Sequence, residues 1–91
     1  MASFVPNHRK KIEHLAKKEM ELRRLIDRGA SQDKLLQAAL EVREGRIRVL
    51  RAKQNKTHPE EVATFQKDES AIQALKALTA EAVLAEYLSG S

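Results

Sequence analysis

Ninety-one residues with 42% apolar content suffice for one hydrophobic core and not for two. The absence of cysteine excludes disulfides and thiolate metal sites, and no run of eighteen uncharged apolar residues is present to span a membrane. The net charge of +4 is unevenly spread: residues 1–56 hold 15 Lys and Arg against 7 Asp and Glu, while residues 57–91 hold 2 against 6.

Aromatic residues are limited to Phe4, Phe65 and Tyr87, so the core must be built from Leu, Ile, Val and Ala. Three glycines and two prolines are few turn residues for this length. With many Leu, Ala, Glu, Lys and Arg, they predict an all-α protein. The N-terminal MASFVPNHRKK lacks the apolar stretch of a secretory signal, and the expectation is a cytoplasmic protein.

Residues 1–6 form a short lead. Asn7 is read as the N-cap of a first helix over residues 7–28, ended by Gly29. Its apolar residues, Ile12, Leu15, Ala16, Leu22, Leu25 and Ile26, mostly share one face. Ser31 caps a second helix over residues 31–55, with Asp33 in its first turn. The Gly29-Ala30 link is so short that the two helices must lie antiparallel as neighbours. Positions facing each other across this hairpin then sum to about 60. Helix 2 carries Leu35, Leu36, Ala39, Leu40, Val42, Ile47, Val49 and Leu50 around half its circumference, more than one neighbour can cover. It is the expected central element.

Residues 55–59 break the pattern. Thr57 with Glu60 matches a capping box, and Pro59 suits the start of a third helix over residues 59–88. Two internal caps compete within it: Ser70 with Gln73, near residues 68–70, and Thr79 between Leu78 and Val83. The favoured reading ends the helix near Leu78 and adds a short one to Leu88. The fold is then a long antiparallel hairpin plus one C-terminal helix, or two if it breaks: a three- or four-helix bundle.

Between Ala71 and Leu88, 13 of 18 residues are apolar and point nearly all round. A helix apolar on every side must be buried on every side. This predicts that Ile72, Leu75, Val83, Leu84, Tyr87 and Leu88 face a second chain, in a homodimer or against a helical partner.

Polar constellations are fewer. Glu19 lies in the apolar face of helix 1, and Arg43 and Arg46 in that of helix 2. The register sets Glu19 beside residues 41–43, predicting a polar contact in the seam, with Arg23 as the local alternative for Glu19. Gly45 falls opposite Leu15, where a glycine permits close approach. Lys10, Lys17 and Arg24, with Arg48 and Arg51, form a basic stripe that could track phosphates. Local pairs Glu13–Lys17 and Glu44–Arg48 argue instead for a solvated, salt-bridged face. His8, His14 and His58 lack the spacing of a helical metal site, and no nucleophile or phosphate-loop motif is present. No metal, cofactor or catalysis is therefore expected. The first functional expectation is a non-enzymatic interaction or oligomerisation module, such as a regulator of a larger complex. The second is a nucleic-acid-binding accessory protein.

Overall fold

A computed structural model describes residues 6–89, with side chains from His8 onward. Those residues form four helices: α1 (Pro6–Asp27), α2 (Gln32–Asn55), α3 (Val62–Ala77) and α4 (Ala80–Ser89). The fold is all-α, and no strand occurs among the described residues. Apart from Pro6, the lead lies outside them. Asn7 is the second residue of α1 rather than its cap. Pro6 occupies the first helical position, where the missing N–H is no loss.

The α1–α2 link is built as its residues require. Gly29 takes φ +71°, the left-handed conformation that only glycine adopts freely. The Ala30 N–H then reaches the Leu25 carbonyl at 3.0 Å and the Gly29 N–H the Ile26 carbonyl at 3.1 Å, a Schellman closure of α1. Ser31 follows in extended conformation, and its hydroxyl accepts from the Lys34 N–H.

Helix α2 is the centre, and α1, α3 and α4 all pack on it. In the hairpin seam a Cβ added to Gly45 would lie 3.1 Å from Leu15 Cδ1, so these two positions meet at the expected register. The core joins three helices: Leu22 from α1, Ala38, Ala39 and Val42 from α2, and Val83 and Leu84 from α4.

Helix α3 begins later than the sequence signals suggest. The Thr57 hydroxyl donates backward to the Lys53 carbonyl, so Thr57 closes α2 instead of opening α3. The Glu61 carboxylate accepts from the His58 N–H, and Glu61 is the residue before the helix. Pro59 stays in the intervening turn. Ser70 and Gln73 lie within α3, where Gln73 donates to Glu69, so no break occurs near residues 68–70. The break falls at Leu78-Thr79: Leu78 is extended, and the Thr79 hydroxyl accepts from the Ala82 N–H at 3.1 Å. Helix α3 runs antiparallel to α2, with Gln54 bonded to the Phe65 carbonyl and Arg43 to the Leu78 carbonyl. Helix α4 turns back across the hairpin.

The packing of the two helices on either side of that break corrects the apolar argument. Ile72, Val83 and Leu84 are buried within this one chain at 0%, 0% and 2% exposure. Leu75 and Tyr87 are half-buried, and only Leu88 is largely exposed. A continuous helix would fan these residues outward. Two helices set at an angle can each turn their large apolar side chains to α2, leaving Ala74, Ala77 and Ala85 on the surface. No helix among the described residues is long and apolar enough to cross a membrane.

Candidate functional site

The polar residues of the seam separate into two structures. Arg43 donates from Nη1 to the Leu78 carbonyl at 2.7 Å and from Nη2 to Glu44 at 2.9 Å. It therefore holds the elbow between α3 and α4 and does not meet Glu19. Its buried Nε has no hydrogen-bond partner. Arg46 donates to the Tyr87 hydroxyl at 3.1 Å and to Glu86 at 3.2 Å. The same hydroxyl donates to Glu19 at 3.0 Å. Glu19 and Arg46 are thus joined through Tyr87, a linkage the hairpin register alone could not reveal. Arg23 and Arg46 both lie over the Tyr87 ring, 5.4 and 5.7 Å from its centroid. Arg23 thereby serves Tyr87 and makes no ion pair with Glu19. Burial raises the Tyr87 phenol above its ordinary value, and its bond to the Glu19 carboxylate adds to this. Burial opposes the Arg46 charge, but the Tyr87 and Glu86 contacts outweigh it and raise Arg46.

A second polar cluster fastens α3. Glu69 accepts from Arg51, Gln54 and Gln73, and these bonds, the two glutamines first, hold its carboxyl down at about 2. Asp68 is buried, with one oxygen 3.2 Å from Lys53 and the other, Oδ2, without a partner. With Glu86 on Arg46, three carboxylates of the acidic segment neutralise three cations of α2. The charge asymmetry of the chain is therefore partly consumed inside the fold.

What remains uncovered is the end where the start of α1 meets the end of α2. Two adjoining clefts lie there. One, of 370 Å³, is lined by Lys10, Lys11, His14, Gly45 and Arg48. The other, of 300 Å³, shares Lys11 and Arg48 and adds His8, Arg51, Ala52, Asn55 and Lys56. Among the described residues, no carboxylate lines either cleft. Among the described residues, Lys10, Lys11, Lys17, Arg48 and Lys56 take part in no ion pair. The expected Glu13–Lys17 and Glu44–Arg48 pairs do not form, and Glu44 turns instead to Arg43.

Of the basic stripe, the fold brings Lys10, Arg48 and Arg51 to this end. Lys17 is exposed outside both clefts, and Arg24 lies toward the hairpin bend, paired with Glu21. His8, Lys11, His14 and Lys56 were missed. The hairpin register carried the signal for the first two, since it sets His8 and Lys11 opposite Ala52 and Val49, on the same stretch as Arg48 and Arg51.

Large apolar residues on the surface are Ile12, Met20, Val62, Phe65 and Leu88. Val62 and Phe65 share a shallow groove of 360 Å³ with Pro59. No three His, Asp or Glu side chains among the described residues are placed to hold a metal ion. Comparison of the chain with protein-family models, curated proteins and solved structures finds no match.

Proposed function

We propose that this chain is a small non-enzymatic helical binding module that docks an anionic partner on the end of its hairpin. One observation supports the reading above others: cationic side chains from two helices converge there with no carboxylate among the described residues of the cleft walls. Carboxylates from α3 and α4 pair with Arg46, Arg51 and Lys53, so most of this cluster keeps its charge in a molecule that has counter-charges to give. Like charges held together without internal neutralisation cost stability, and they create a field that attracts a polyanion.

Heparin, as a generic polyanion, tests this. Lys10 and Arg48 are exposed, so Lys10→Ala/Arg48→Ala removes two charges without touching the core. Arg24→Ala/Arg28→Ala removes the same charge toward the hairpin bend. The first pair should lower the salt needed to elute the protein from heparin, and the second should leave it nearly unchanged. Equal effects would reduce the result to net charge and defeat the reading.

A second reading is an interaction or oligomerisation module using apolar contacts. The exposed Val62 and Phe65 beside Pro59 favour it, together with Leu88. The homodimer built on Ile72, Val83 and Leu84 loses its basis, because those side chains are covered within one copy.

A further inference from the structure

We infer that the partner of the cationic end is double-stranded nucleic acid, gripped along its phosphate backbone without reading its sequence. The inference rests on the anionic-partner reading and narrows it to one ligand class.

Extent is the first argument. The two clefts share Lys11 and Arg48, so they form one path. On α2 the path runs from Gly45 to Lys56, just past the helix end, about 16 Å at 1.5 Å per residue. A single phosphate or a nucleotide would leave most of that length unused. A duplex presents one charge per about 1.7 Å of axis, so a 16 Å path can meet several phosphates at once.

The character of the cleft walls is the second. Proteins that hold single strands stack the bases on aromatic rings. Among the described residues no Phe, Tyr or Trp lines either cleft, whose only rings are the small imidazoles of His8 and His14; Tyr87 is engaged by two arginines, and Phe65 sits in the groove with Pro59. Without a Phe, Tyr or Trp platform, binding depends mainly on the release of counterions. Each neutralised phosphate releases about 0.9 of an ion from a duplex and about 0.7 from a single strand, so the duplex is favoured. A membrane surface would call for large apolar side chains interleaved with the cations. Among the described residues, the largest apolar side chain in the cleft walls is Ala52.

Fluorescence anisotropy on the full chain decides the matter, with three probes: a 20-base-pair mixed-sequence duplex, one of its strands alone, and phosphatidylserine vesicles. The duplex should bind at least fivefold tighter than the strand. Its log affinity should fall with log salt at a slope near −4, as for about four phosphate contacts. Lys10→Ala/Arg48→Ala should weaken duplex binding about tenfold at low salt and flatten the slope by about 2. Arg24→Ala/Arg28→Ala, whose helicity provides the folding control, should change neither. A strand that binds as tightly as the duplex, vesicles that bind more tightly, or an unaltered slope in the Lys10/Arg48 variant would overturn the inference. Retention on heparin without duplex binding would also overturn it, while leaving the broader anionic-partner reading intact.

Discussion

The Arg46 guanidinium donates to the Tyr87 hydroxyl at 3.1 Å while its central carbon lies 5.7 Å from the centroid of the same ring. One side chain of α2 thus meets both the polar tip and the π-system of one side chain of α4. Glu19 accepts the hydroxyl proton, and this fixes α1 to the same point. Tyr87→Phe keeps the ring and the stacking but removes both hydrogen bonds. The partners are partly exposed and water can replace the lost bonds, so the cost should be about 1 kcal/mol, or a Tm decrease of about 4–8 °C. Tyr87→Ala, which also deletes the ring, should cost about 3 kcal/mol or more.

Tyr87 is the only tyrosine, so its ionisation can be followed by ultraviolet absorbance without interference. The phenol is raised above 10.0 in the folded chain by burial and by Glu19. A raised folded value means that this contribution to stability is complete below the unfolded value and lost as pH rises through the folded one. The absorbance midpoint should therefore lie above that of a free tyrosyl amide. In urea the two should coincide.

Gly45 weighs two opposing effects. Alanine in a helix interior is favoured over glycine by about 1 kcal/mol. The new Cβ would meet Leu15 Cδ1 at 3.1 Å, and that methyl, at the end of a half-buried side chain, must shift by a few tenths of an ångström. Gly45→Ala should therefore change stability by less than about 1 kcal/mol in urea denaturation, whereas Gly45→Leu should lose about 2 kcal/mol by forcing the hairpin apart.

Acid should loosen α3. The Glu69 carboxyl is held down at about 2 by Gln54, Gln73 and Arg51, against an ordinary value of 4.5. A depressed folded value gives stability that is present above 4.5 and lost as pH falls through about 2. Thermal unfolding measured between those limits should show a falling Tm, and Glu69→Gln should make the decline shallower. Because Glu69 also occupies Arg51, which lines the cationic end, the same substitution should raise affinity for heparin.

Asp68 is buried with one carboxylate oxygen unpartnered, while Lys53, its only ion-pair partner among the described residues, is half exposed. Removing the carboxylate strands no buried charge. Asp68→Leu should be neutral or stabilising by about 1 kcal/mol, in contrast to the loss that follows when a fully buried pair is broken. Denaturation midpoints of the two proteins provide the check.

Much of the architecture was legible because local chemistry and global shape agree. Gly29-Ala30-Ser31 fixes a tight antiparallel turn, Thr79 fixes the late break, and the register from that turn brings Leu15 to Gly45. What was not legible depends on angles between helices. Ile72, Val83 and Leu84 read as facing a second chain even with a break near Leu78, because the angle at that break, which periodicity does not set, is what buries all three within one chain. Arg43 and Arg46 are neighbours on one arc, yet one reaches the α3–α4 elbow and the other the far end of α4. Thr57 carries the signature of a helix start, but its hydroxyl finds the last carbonyls of α2 first. Lys11 lies off the seven-residue stripe of Lys10 and Lys17, so it stood out only once α2 was seen beside it.

Amide chemical shifts of the labelled protein, recorded while a short mixed-sequence duplex is titrated at low salt, test the central claim most directly. The account predicts perturbations concentrated at His14, Arg48, Ala52 and Lys56, with Gly29 through Leu36 and the Val62–Phe65 groove unmoved. Perturbations centred on the hairpin bend or on Val62 and Phe65, with the cationic end silent, would contradict it.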